Sequence, residues 1–373
     1  MNKAPIVWVN LLIFLVTGLI ALIGIPLDIY FNGLDSTQII ATVLCLGYCG
    51  MSITAGYHRL WSHKTYQAHA FVRFVYAIGG AFALQNSVLH WCSDHRNHHR
   101  FVDNNDKDPY SAKRGFWHSH IGWMIREYQG QEYKNYNNSK DLQKDKIVMW
   151  QHKYYVLLAI ATNFGIPILL GWLNGNILSM LLWAGVLRLV LSHHFTFFIN
   201  SLAHIWGSQP YSSKHTAKDN GFLALLTYGE GYHNFHHTFE YDYRNGIRWW
   251  HFDPTKWFIK AASYIGLTSK LRTTPEERIE KALAENHFAT LKERVLHLPH
   301  NHPLVKKLEH EYEILQHKMN EFYSARKRLL EIKRKKLAKD YRKTDLYAQV
   351  QELKHKFEEH KNKFFDLSIP QPA

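Results

Sequence analysis

An all-α integral membrane protein is the fold class this sequence predicts: four transmembrane helices, a helical cap rich in histidine, and a charged helical extension at the C-terminal end. Three observations predict it. Four long apolar stretches are joined by two short connections free of Lys and Arg and one long basic one, nine histidines gather in four tight groups beside those stretches, and charge becomes dense beyond Pro275. The chain has 373 residues and a net charge of +14. Its mean hydropathy of -0.31 averages two unlike parts.

Residues 6–27 carry no charge and are long enough to cross a bilayer. Residues 38–57 and 154–173 are equally uncharged, and 176–199 contains only Arg188. The first stretch exceeds the apolar run of a signal peptide and a second span follows closely, which favours a retained helix over a cleaved leader. Arg188, about 12 residues beyond the Gly175 turn and so near the cytoplasmic half of its span, is as well explained by snorkelling to the interface as by function. Residues 71–90 are apolar but include Arg73, Gln85 and Asn86. Counting them as a span would put His95 and His58 on opposite sides, so an interfacial or re-entrant helix is expected.

The connections at 28–37 and 171–176 contain no Lys or Arg, whereas residues 91–153 contain eleven. Basic loops stay in the cytoplasm, so all four histidine groups are expected on that side.

Those groups are His58 with His63, His95-Arg-Asn-His98-His99, Asn200 with His204, and His233-Asn-Phe-His236-His237. Neutral imidazole suits iron, zinc and copper. Nine such ligands are too many for one ion and enough for two, so a dinuclear centre is expected. Positions i, i+3 and i+4 share one helix face, which lets each H-x-x-H-H triad converge on one spot. His58 and His63 stand about 140° apart on an ideal α-helix and must straddle a helix end or a turn. Asn200 and His204 share a face, where the amide can hold a water beside the imidazole. The remaining histidines, His69, His90, His118, His120, His152, His193, His194, His215 and His251 among them, read as surface or hydrogen-bonded core residues. Cys45, Cys49 and Cys92 have no C-x-x-C spacing, so neither a disulfide framework nor a thiolate site is indicated.

Residues 276–366 contain 37 charged side chains among 91. The domain division is therefore placed at 1–274 and 275–373. Leu308, Tyr312, Leu315, Met319 and Phe322 step by four and three, and Leu346, Val350, Leu353, Phe357 and Phe364 form a second seam. A helical hairpin or a homodimer contact follows. Between the seams, Arg326 to Lys343 carries ten basic and two acidic residues, either a solvated face or a contact for anionic lipid or an acidic partner. The net charge does not indicate nucleic acid, because no base-reading motif accompanies it.

The stretch from Thr54-Ala-Gly-Tyr-His-Arg-Leu-Trp-Ser-His63 to about Asp242, with Gly229-Glu-Gly-Tyr-His-Asn-Phe-His236 the most specific part, closely resembles the fatty acyl desaturases of the stearoyl-CoA (delta-9) type. The resemblance implies a four-span protein whose cytosolic cap holds two irons on His58, His63, His95, His98, His99, His204, His233, His236 and His237, with Asn200 acting through water. It implies an O2-dependent enzyme that removes two hydrogens from a long-chain acyl thioester, acyl-CoA in this type, to leave a cis double bond. The substrate chain would lie in a kinked tunnel lined by Gln85, Trp91, Thr196 and Phe197 and closed near Leu46 and Gly50.

The sequence departs from animal members at the headgroup end. Trp91-Cys92-Ser93-Asp94-His95 lacks the arginine of W-A-R-D-H, and Arg126-Glu127-Tyr128 replaces V-R-K. Phosphate recognition favours fixed basic donors, which leaves another acyl carrier or a membrane lipid open as the substrate. With neither an H-P-G-G haem motif nor G-x-G-x-x-G, an external electron donor, ferredoxin or cytochrome b5, is expected at the cytoplasmic face. The expected location is a bacterial inner membrane, or the endoplasmic reticulum in a eukaryote. A related di-iron hydroxylase is the nearest alternative. A metal transporter would hold its ligands within the spans, and a degenerate relative would have lost some of the boxes.

Overall fold

The computed structural model describes residues 4–128, 135–300, 302–335, 337 and 340–367. It divides into two compact units, Met1–Gln209 with Lys214–Thr273, and Pro210–Ser213 with Thr274–Ala373. The short segment at 210–213 thus groups with the extension, where Asn286 Nδ2 donates to the Pro210 carbonyl at 3.3 Å.

Four helices of the first unit are long and apolar enough to cross a membrane: α1 (Trp8–Asn32), α2 (Ser36–Ser62), α5 (Tyr155–Asn174) and α6 (Ile177–Ile205). Even the shortest, 20 residues, reaches about 30 Å at 1.5 Å per residue. The apolar window of α1 is 0% buried within the protein, so its outer face is left for lipid. Tight turns join α1 to α2 and α5 to α6. Asp35 caps α2 by accepting from Thr37 N at 2.8 Å, and Gly175 ends α5 in the left-handed conformation (φ 79°) that a side chain would disfavour. His58 and His63 lie at the opposite end of α2, and Asn200 and His204 at the opposite end of α6.

Between α2 and α5 lie α3 (Ala70–Phe82) and α4 (Val88–Phe101). The apolar 71–90 stretch is therefore not one helix: it breaks after Phe82 and restarts behind the Ser87 cap, whose hydroxyl accepts from His90 N at 3.4 Å. Leu84 and Asn86 take positive φ (51° and 74°) within the break. Beyond α6 come α7 (His233–Thr238) and α8 (Pro254–Tyr264), the latter started by the Asp253 cap and proline at its first position. A two-residue ladder, β1 (Gln67–Ala68) on β2 (Thr268–Ser269), ties the segment after α2 to the end of the unit. Tyr57, Trp61, Phe82, Val88, Leu89 and Ile259 share one buried core beneath the cap.

Arg188 does not snorkel. It is fully buried, donating to the carbonyls of Ala184 (3.1 Å) and Phe82 (2.8 Å) and to Asn163 Oδ1 (2.9 Å), with its guanidinium 3.7 Å from the Phe82 ring centroid. Partners from three helices satisfy it inside, so reaching the interface would gain nothing.

The second unit contains α9 (Glu276–Arg294), α10 (Pro303–Arg334) and α11 (Asp345–Phe365). The two predicted seams meet each other: Leu308, Leu315, Met319 and Phe322 pack with Val350, Phe357 and Phe364 in one cluster, and Phe322 stacks on Phe357 at 5.6 Å. Of the ten basic residues in Arg326 to Lys343, Lys336 and Lys339 lie outside the described residues.

Candidate metal centre

All nine histidines converge, in two groups. His58, His63, His95, His99 and His236 form site one, and His98, His204, His233 and His237 form site two. Within each group the ligand nitrogens lie within 4.8 Å of one another.

Each H-x-x-H-H box is divided between the sites. His95 and His99 serve site one while His98 serves site two; His233 and His237 serve site two while His236 serves site one. Convergence of each triad on a single spot is thus corrected, for a geometric reason. On an α-helix i+4 returns to within about 40° of i, whereas i+3 falls about 60° to the other side, so adjacent histidines splay toward neighbouring sites.

The first box has a different solution. Ser52–Ser62, the end of α2, is π-helical, and π-helices repeat through i→i+5 bonds. His63 N donates to the His58 carbonyl at 3.1 Å, which brings the two rings to 4.8 Å. Five-residue spacing, awkward on an α-helix, is the natural period here.

The nitrogens fit a cation. Nε2 atoms approach as His58–His236 (3.0 Å), His63–His95 (2.8 Å), His99–His236 (3.0 Å), His204–His233 (3.1 Å), His233–His237 (3.1 Å) and His98–His237 (3.3 Å). Imidazole ligands about 2.0–2.1 Å from one ion and at right angles stand about 3 Å apart. Several of the other ring nitrogens face outward to fixed partners. His58 Nδ1 lies 2.8 Å from Glu230, His98 Nδ1 2.9 Å from Asp108, His99 Nδ1 3.4 Å from Glu240, His95 Nδ1 3.1 Å from the Tyr110 hydroxyl and His204 Nδ1 2.8 Å from Thr216 Oγ1. Donating Nδ1–H outward leaves the Nε2 lone pairs facing one another, an arrangement that repels unless a cation sits between them.

Burial and mutual repulsion hold His63, His95, His233, His236 and His237 well below the ordinary histidine range. Burial also lowers His99, to about 4, although Glu240 pulls the other way. These rings are neutral at pH 7 and available as ligands. Glu230 is itself anchored: Arg59 donates to it at 2.9 Å and Asn245 at 2.6 Å, while Arg59 also pairs with Asp253 at 3.0 Å. Burial alone would raise the Glu230 carboxyl, but Arg59 and His58 outweigh it and the net shift is downward.

A cavity of about 740 Å³ runs from the histidines between α1, α5 and α6. His58, His95 and Glu230 lie at its inner end, and its walls are mostly apolar. Trp91, Gln85, Thr196, Phe197 and Asn200 all line it. Trp91 stacks on His95 at 4.9 Å and Gln85 donates to Thr196 Oγ1 at 2.8 Å. The break between α3 and α4 aims Gln85: His193 Nε2 bonds the Ala83 and Leu84 carbonyls at 3.2 Å, and Asn86 N donates to the Tyr155 hydroxyl at 2.8 Å. Leu46 and Gly50 are not among the lining residues. Gly50 lies under Tyr228, whose ring a Cβ at that position would meet at 2.0 Å, and the Tyr228 hydroxyl donates to the Leu46 carbonyl at 3.1 Å. Ser93 donates to Asn138 (2.8 Å) and Arg126 to the Ala4 carbonyl (2.7 Å).

Sequence reasoning missed Glu230, Asp108, Glu240, Tyr110 and Thr216. Glu230 stands three residues before His233 and could have been noticed there; the others reach the histidines only through the fold.

Residues 36–268 match the family model described as fatty acid desaturase. The chain is 42% identical over 279 residues to a probable acyl-CoA desaturase of Schizosaccharomyces pombe, covering 74% of this chain and 57% of the relative. It is 44% identical over 237 residues to acyl-CoA desaturase 1 of Saccharomyces cerevisiae, covering 63% and 46%. To an sn-2 palmitoyl-lipid 9-desaturase of Nostoc it is 33% identical over 280 residues, covering 74% and 94%. The chain thus spans about half the length of the two yeast relatives. With its histidine sites, spans and cavity arranged as described, the chain belongs to the fatty acid desaturase family.

Proposed function

We propose that this protein is an O2-dependent di-iron desaturase that introduces a cis double bond, at the delta-9 position, into a long-chain saturated acyl thioester, acyl-CoA. The observation that carries this reading is the pair of buried histidine sites at the inner end of an apolar cavity, in a chain of this family. When bound, the two irons supply the oxidising power, drawn from O2 and two electrons of an external ferredoxin- or cytochrome b5-type donor, that takes one hydrogen from each of two adjacent methylenes.

The chain's own residues do the rest. Glu230, Asp108 and Glu240 orient the imidazoles of His58, His98 and His99, so these ligands are positioned before a cation arrives. The apolar walls extend the acyl chain and keep water from the reacting carbons. Gln85, Thr196 and Trp91 bend and clamp that chain beside His58 and His95, which selects the methylene pair. In this reading the cap faces the cytoplasm, where the donor docks.

A second reading, an acyl-lipid substrate, is favoured by the similarity to the Nostoc protein and by Ser93 standing where a basic residue is expected. Expression in a host that makes no unsaturated fatty acids, followed by mass spectrometry of the acyl chains, tests both. The expected product has lost two hydrogens at C9–C10. A gain of one oxygen would overturn desaturation in favour of hydroxylation, and products confined to intact lipids in a purified assay would overturn acyl-CoA.

A further inference from the structure

Site one has five histidines and site two has four, and a further histidine stands beside the smaller set. His215 lies in the connection between α6 and α7, its ring centroid 5.3 Å from that of His237. That separation falls within the range found inside site two itself, from 4.5 Å for His233–His237 to 5.4 Å for His98–His204. Both ring nitrogens of His215 are buried and lack a hydrogen-bond partner among the described residues. It is therefore neither the surface histidine nor the hydrogen-bonded core histidine that the sequence suggests.

Its position is fixed from the adjacent residue. The Thr216 hydroxyl oxygen accepts from His204 Nδ1 (2.8 Å), while its backbone N–H and its hydroxyl proton both go to Asp103, at 2.7 and 2.6 Å. The loop that carries His215 is thus tied to a site-two histidine. Burying an N–H and a lone pair with no partner is costly, and metal sites that do chemistry keep a coordination position open for a small ligand.

We propose that His215 belongs to site two as a second hydrogen-bonding partner, in addition to Asn200, of a small exchangeable ligand, water or a small anion, that fills the position left by the four histidines. The proposal rests on the reading of the nine histidines as a two-metal site. It assigns His215 a positioning role toward that ligand, not a place among the nine.

Co2+ and azide test it on the full-length protein in detergent. Wild type, His215→Gln and His215→Leu are each loaded with Co2+, the bound metal is counted, and azide is titrated by visible absorption. Two Co2+ per chain are expected in all three. Azide affinity at one of the two ions should fall about tenfold in His215→Leu, the scale of one lost hydrogen bond to a charged group, and less in His215→Gln, whose amide still donates. Equal azide affinity in the three proteins overturns the proposal. Loss of one Co2+ in His215→Gln also overturns it, because His215 would then be a direct ligand. Wild type that binds no Co2+ would instead defeat the two-metal reading.

Discussion

Around the histidine sites the most deeply buried side chains include Arg59, Glu230 and Asp253, at 1%, 2% and 0% exposure; in the C-terminal unit the interior is Leu308, Leu315, Phe322, Phe357 and Phe364. The two interiors are stabilised differently. An apolar seam gains from each buried methylene and tolerates imperfect partners. A buried charge is tolerable only while every partner is present, since removing one leaves the other uncompensated. The first unit has accordingly accepted a demanding interior where it must preset ligands, and the second has an interior of the kind that only needs to hold helices together.

The largest effect expected from perturbing this contrast is in the first unit. His98→Ala or His236→Ala should lower desaturation more than about 100-fold and lose bound metal, because a direct ligand matters more than the outer partners whose loss costs about 10–100-fold. The protein should remain in the membrane fraction. Wild-type turnover in either variant would remove the histidine sites from the mechanism.

Phe357→Ala probes the other side. It should destabilise the C-terminal unit by about 3–5 kcal/mol, visible as faster amide exchange in α10 and α11, with metal content unchanged. A fall in metal content would show that the two interiors are not independent.

Glu230→Gln removes a charge from the network without changing its shape. It should weaken metal binding about 10–100-fold, measured by competition with a chelator, and Asp108→Asn should do the same through His98. Unaltered affinity in both would mean that the carboxylates serve folding alone.

Gly50→Leu is expected to cost about 1–3 kcal/mol by overpacking against Tyr228, lowering the thermal midpoint while leaving product chain length as it was. A shift to shorter chains would return Gly50 to the tunnel wall. The smallest effect is expected from ending the chain after residue 274. Turnover with the electron donor in excess should stay near that of the whole protein. Complete loss with metal still bound would place the extension within the catalytic fold.

Much of this was legible in the order of residues. The four spans follow from apolar length, three of them without charge and the fourth with Arg188 alone, and the helical hairpin follows from the spacing of Leu308 to Phe322 and Leu346 to Phe364, because hydrophobic period is a local property. The nine histidines stood out for the same reason: three of the four groups carry their own spacing.

How those histidines are shared was not local. Whether His98 joins His95 or crosses to His237 depends on where α7 lies against α4, and the pairing of His58 with His63 depends on the π-helical end of α2. The role of Glu240 beside His99 became visible only when segments far apart in the chain met, as did the burial of Arg188 between Phe82, Asn163 and Ala184. The same holds for Gly50, which α2 alone could present to a tunnel but which the packed Tyr228 covers. Sequence by itself determined which side chains were available and on which helices they ride, since periodicity, charge and ligand chemistry act over a few residues. Tertiary structure alone decided which of them meet, because coordination, burial and the satisfaction of a buried charge are properties of groups brought together from distant parts of the chain.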